Sequence, residues 1–182
     1  MIFEQTPIDG VWVIRPDRLE DERGFFARLW DREVFAERGL NPELAQWSIS
    51  YNSKRGTLRG MHYQAEPHQE AKLVRCTSGA MFDVALDLRP GSATFGASFG
   101  TTLSAENRNA LYVPEGCAHG FLTLADSTEV HYQISVPYAP DAARGVRWND
   151  SAFGISWPDR VSVISERDRT YPDFAEIPAE PV

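Results

Sequence analysis

Four side chains suited to proton transfer or anion binding fall in the middle of this chain: Arg59, His62, Lys72 and His119. Arg59 and His62 belong to Gly56-Thr57-Leu58-Arg59-Gly60-Met61-His62-Tyr63-Gln64, which reads as a strand. Regular alternation would send their side chains to opposite faces. Gly60, between them, permits a bulge or kink that turns both toward one cavity. Lys72 follows on a second strand-like stretch. His119 comes later, in Val113-Pro114-Glu115-Gly116-Cys117-Ala118-His119-Gly120-Phe121. A base, a fixed cation and an anion-binding pair on strands suit chemistry on a small anionic substrate.

The elements that must position these groups are mostly strands. Residues 11–16 and 24–30 read as two short strands around the polar turn Glu20-Asp21-Glu22-Arg23. Residues 31–38 read as a helix capped by Asp31 and stopped by Gly39, with Val34, Phe35 and Arg38 on one face. From Gln46 to about Trp148 the pattern is β. In residues 81–88, Phe82, Val84, Leu86 and Leu88 alternate with Asp83 and Asp87. Asp83 is either a polar member of the cavity or a partner for a basic neighbour such as Arg75. Lys72, Val74 and Cys76 alternate with Leu73 and Arg75, and further strands fit residues 110–113, 120–124 and 129–136. His131 and Tyr132 are neighbours on the last of these, so one of them faces outward. Trp47, Trp148 and Trp157 are expected to pack. Many short strands broken by Gly and Pro indicate an all-β sandwich or jelly roll, not a βαβ fold. After Trp148 the chain reads as irregular, ending in a Pro-rich stretch. No repeat or linker divides residues 1–182, which read as one domain.

A net charge of −8 over 182 residues argues against a nucleic-acid partner, so any phosphate must be gripped locally, against the overall field. Cys76 and Cys117 form no CxxC pair and read as small packing residues of a reducing compartment. The N-terminal residues lack a signal-peptide pattern and no segment approaches the roughly 18 apolar residues of a membrane span. A cytoplasmic location is expected.

Across almost the whole chain, an ordered set of segments resembles the dTDP-4-dehydrorhamnose 3,5-epimerase family. They are Asp21-Glu22-Arg23-Gly24-Phe25-Phe26, Arg59-Gly60-Met61-His62-Tyr63-Gln64, Lys72-Leu73-Val74 and residues 83–89. Residues 114–121, Tyr132, Trp148-Asn149-Asp150 and Ser165-Glu166-Arg167-Asp168 complete the set. The resemblance implies a cupin-type double-sheet jelly roll, a homodimer with exchanged N-terminal strands, and no metal or organic cofactor. It implies proton removal beside the ketone of a nucleotide-diphosphate 4-keto-6-deoxy sugar, followed by return of a proton to the other face. In that scheme His62 is the base and Asp168 its carboxylate partner. Lys72 stabilises the enolate and Tyr132 is the returning acid. Arg59 and His119 contact the diphosphate and Tyr138 stacks on the base; Arg23, Gln46, Ser48, Arg28 and Asp83 complete the expected substrate contacts.

The departures from the family pattern concern recognition. An expected Glu is Arg28, the Asn of a Gln-x-Asn pattern is Ser48 (in Gln46-Trp47-Ser48), and a Glu expected after Tyr138 is Ala143. The proton-transfer set is untouched, so the sugar and nucleotide stay open. Two alternatives stand beside the epimerase: a 3,4-ketoisomerase on a related sugar, and a metal-dependent cupin oxygenase. The latter needs a His-x-His pair, and Gln64 stands where the second histidine would fall.

Overall fold

The computed structural model describes residues 1–174. In chain order the elements are β1 (Ile2–Gln5), β2 (Trp12–Arg15), β3 (Leu19–Asp21), β4 (Gly24–Phe26), α1 (Arg32–Glu37) and β5 (Gln46–Asn52). They continue with β6 (Thr57–Gln64), β7 (Lys72–Ser78), β8 (Ala80–Asp87), β9 (Ser98–Ser104), β10 (Ala110–Val113), β11 (Cys117–Thr123) and β12 (Thr128–Ile134). After a 3₁₀ turn at Pro140–Ala142 come β13 (Ala143–Gly145), β14 (Val163–Ile164) and α2 (Glu166–Arg169).

Two sheets face one another. One runs β1-β2-β10-β7-β12-β5, the other β13-β6-β11-β8-β9 with β14 added in parallel beside β6. This is the cupin-type jelly roll. Between the sheets lies an apolar cluster that includes Val74, Cys76, Met81, Ala85, Leu111, Phe121 and Val130. Burying each large side chain of this kind is worth about 1.5–3 kcal/mol.

Both sheets are also covered on part of their outer faces. The single turn-and-a-half of α1 lays Phe35 on Ile14, Leu73, Ala110 and Tyr112 of the first sheet. Asp31 caps it by accepting the Glu33 and Val34 amides, as its position before the helix predicts. The segment after β13 lays Phe153, Trp157 and Phe174 on Val84, Leu86 and Leu88 of the second sheet. Asp83 and Asp87 do not face water; both are fully buried between the sheets.

Several readings change. Glu20 and Asp21 are not turn residues but strand β3, which pairs with β4 in a small separate hairpin; residues 27–30 are not strand. Residues 11–16 instead join the main sheet through β1 and β10. The stretch after Trp148 is not wholly irregular, since it contains β14 and α2. The Pro-rich end, residues 175–182, lies outside the described residues. Trp148 and Trp157 pack together, but Trp47 is 66% exposed, on the outer face of edge strand β5 beside Ile49 and Tyr51. It meets His131 edge to face, so His131 is the outward member of the His131–Tyr132 pair. Among the described residues no helix is long and apolar enough to cross a membrane.

Candidate active site

The strand carrying His62 is bulged where Gly60 suggested. His119 of β11 faces His62 of β6, but Phe121 faces Arg59. Two steps along β11 thus match three along β6, and the extra residue falls at Gly60-Met61. The phase of the side chains flips across it. Met61 packs outward with Val84 and Leu86, while Arg59 and His62 line the same cleft. Glycine is required there: Gly60 has φ +140°, and a Cβ on it would fall 2.5 Å from Gly120 Cα.

The cleft opens between the two sheets and holds about 340 Å³. Arg59, His62 and His119 reach it from the β6–β11 wall. Ser48, Ser50, Lys72 and Tyr132 reach it from the β5–β12–β7 wall, with Tyr138, Ala143, Arg144 and Arg167 around them. Arg59, Lys72, Arg144 and Arg167 make this a cationic surface on an acidic protein, suited to a phosphate-bearing ligand.

Both imidazoles are backed by carboxylates. His62 Nε2 lies 2.7 Å from Asp168 Oδ1, and Asp168 Oδ2 accepts the Gly60 amide at 3.2 Å. Asp168 is delivered by α2, whose N-cap Ser165 accepts the Asp168 amide. Burial by itself would raise the Asp168 carboxyl; the contacts with His62 and the Gly60 amide outweigh it and hold the group below the ordinary carboxylate range. With Nε2 tied to the carboxylate, Nδ1 is the ring nitrogen left to take a proton.

His119 is buried, its Nε2 2.7 Å from Asp83 Oδ1. Asp83 thus sits behind His119 and pairs neither with Arg75 nor with the cleft surface. The Tyr132 ring meets the His119 ring edge-on at 5.8 Å. Burial, reinforced by Asp83, pushes the Tyr132 phenol far above its ordinary value, so it stays a neutral O–H donor. Arg59 Nε donates to Asn52 Oδ1 at 2.9 Å, which fixes its fork.

Other expected contacts are placed differently. Gln46 is outside the cleft; its Oε1 accepts the Tyr138 amide at 2.9 Å and so anchors the loop carrying that ring. Arg23 lies in the exposed β3–β4 hairpin, paired with Asp21. Arg28 is paired with Asp31 at 2.7 Å. Neither lines the cleft of its own chain. Sequence reasoning gave no site role to Glu70, which contacts Lys72 at 2.5 Å, or to Arg167 and Tyr171. Tyr171 meets the His62 ring edge-on at 6.3 Å and lies under the Arg167 guanidinium. Their signal was proximity to Asp168, legible only once α2 is seen beside β6. Among the described residues no group of three or more His, Cys, Asp or Glu side chains comes together to hold a metal.

Residues 5–176 match the family model described as dTDP-4-dehydrorhamnose 3,5-epimerase. The chain belongs to that family. It is 42% identical over 179 residues to a dTDP-4-dehydrorhamnose 3,5-epimerase of Sinorhizobium fredii, covering 98% of this chain and 92% of the relative. The crystal structure of the Elizabethkingia anophelis dTDP-4-dehydrorhamnose 3,5-epimerase is similar at TM-score 0.93 and 40% identity, over 96% of this chain and 97% of that one. A Legionella pneumophila dTDP-6-deoxy-D-glucose-3,5-epimerase, solved with dTDP-4-keto-L-rhamnose, is similar at TM-score 0.90 and 34% identity, over 98% and 95%. The protein is an isomerase-class enzyme.

Proposed function

We propose that this chain inverts carbon centres flanking the ketone of a dTDP-linked 4-keto-6-deoxy hexose, at C3, C5 or both. The observation that carries the reading is the approach of His62 and Tyr132 from opposite walls of one cleft, with Lys72 also lining it. His62, oriented by Asp168, takes the α-proton on Nδ1 as the C–H bond breaks. The electron pair moves onto the ketone oxygen, where the Lys72 ammonium holds the enolate. Tyr132 returns a proton from the other face and the ketone reforms. Arg59 and His119 grip the diphosphate, and Tyr138 stacks on the base.

Solvent-deuterium incorporation tests this directly, with dTDP-4-keto-6-deoxyglucose in heavy water followed by NMR. Label at C3, C5 or both, in an inverted product, is expected, and the pattern names the carbons. Substrate recovered without label would overturn the reading for this sugar.

We also propose a homodimer in which the N-terminal strands are exchanged and Arg23 and Arg28 reach the partner's cleft. Support comes from the exposed apolar side chains Leu19, Phe26, Trp47, Ile49 and Tyr51, and from the distance of both arginines from their own site. Light scattering on the purified protein checks the mass, and a monomer would sink the exchange. A cytoplasmic location is proposed with it, supported by two buried cysteines that form no disulfide.

A further inference from the structure

Among the described residues, three basic side chains of the cleft are paired with a carboxylate: His62 with Asp168, His119 with Asp83, and Lys72 with Glu70. The first two carboxylates stand behind their imidazoles. Glu70 differs, because its side chain is itself part of the cleft lining and is the only carboxylate there among the described residues. It lies two positions before Lys72, in the segment leading into β7, and both side chains line the cleft. Their heads meet at 2.5 Å, with side chains only 8% and 10% exposed. Among the described residues, the other polar contact of Lys72 Nζ is the His62 carbonyl oxygen, at a long 3.5 Å.

Lysine is a point charge on a flexible stem, and an enolate-stabilising cation is effective only if it is already in place when charge develops. The stem of Lys72 has no guanidinium-like fork to fix it. The weak contact with His62 does not suffice, and the nearby cations Arg59, Arg144 and Arg167 cannot hold an ammonium. A diphosphate entering the cleft would compete for an untethered ammonium and draw it away from the sugar. Glu70 supplies both the tether and the competing charge.

We infer that Glu70 is a positioning residue for this reaction: it holds the Lys72 ammonium at the site of the enolate oxygen and keeps it from the diphosphate. The inference rests on the epimerase reading given above. Glu70 acts through Lys72 and moves no proton itself.

A double-mutant cycle on the full-length protein tests it, read as kcat and KM for product formation and as the rate of solvent-deuterium exchange. Glu70→Ala is expected to lower kcat and exchange at least tenfold with KM changed less than about threefold. Glu70→Gln, which keeps the length and the acceptor oxygen, is expected to recover part of the loss. The double variant Glu70→Ala/Lys72→Ala is expected to be no slower than Lys72→Ala alone. Losses that multiply in the double variant, or an Glu70→Ala enzyme with wild-type kcat, would overturn the role. Circular dichroism and dTDP binding report folding; if Glu70→Ala fails to fold, the same comparison is made with Glu70→Gln. Absence of exchange in the unmodified protein would instead overturn the epimerase reading, so the two failures are distinguishable.

Discussion

His62 Nε2 and Asp168 Oδ1 lie 2.7 Å apart although 106 positions separate them in the chain. The carboxylate reaches the imidazole because β14 pairs in parallel with β6 and leads directly into α2. Asp168→Asn should keep a hydrogen bond but lose the charge that selects the Nε2–H tautomer. A fall in kcat of about 10²–10⁴-fold is expected, with proton exchange slowed in parallel. Unchanged exchange would separate Asp168 from the base.

Tyr132 stands on the wall opposite His62. Tyr132→Phe removes only the hydroxyl, so abstraction by His62 should persist while return to the opposite face fails. Deuterium exchange without inverted product is the expected outcome, measured by NMR on recovered substrate. Loss of exchange together with inversion would contradict the assignment.

Arg59 is held by Asn52, which orients its fork toward the cleft. Arg59→Lys keeps the charge and loses the bidentate geometry. Affinity for dTDP should weaken about tenfold, equivalent to roughly 1.4 kcal/mol, with a smaller change in kcat. Calorimetry with dTDP checks this independently of turnover.

Gly60 is where the bulge and the contact with Gly120 coincide. Gly60→Ala adds a Cβ at positive φ against backbone that cannot move aside. A cost of about 2–3 kcal/mol is expected, roughly 5–10 °C in Tm. Activity should fall as well, because Arg59 and His62 share a face only through that bulge. A variant of wild-type Tm would show that the strands separate more easily than their packing implies.

Asp87 is fully buried at the end of β8 and accepts hydrogen bonds from Arg89, Ser92 and Thr94. Burial alone would raise its carboxyl, but those donors overcome it and hold it well below the ordinary range. A carboxyl depressed on folding adds stability above its unfolded value, near pH 4, and loses it as pH falls toward the folded value. Asp87→Asn should therefore cost about 2–4 kcal/mol at pH 7. The gap to the unmodified protein should narrow as pH drops below about 4, in thermal melts across that range. A gap independent of pH would assign the loss to packing.

The sequence by itself determined most of the central strands, the cap of α1 and the residues able to do the chemistry. Those signals are local: alternation in β7 and β8, Asp31 before a helix, and Gly60 between Arg59 and His62. It could not show that Asp83 and Asp87 are buried, because the sheet that closes over their side of β8 is assembled from strands far apart along the chain. Nor could it show that Gln46 anchors the Tyr138 loop, or that Arg23 and Arg28 stand away from the cleft of their own chain. The pairing of Glu70 with Lys72 was partly within reach, since Glu70 lies two positions before the first residue of β7. What was missing was the wall opposite, which encloses the site and makes the ion pair matter. Only tertiary structure decides such relationships, because sheet packing joins residues whose separation along the chain carries no periodic signal.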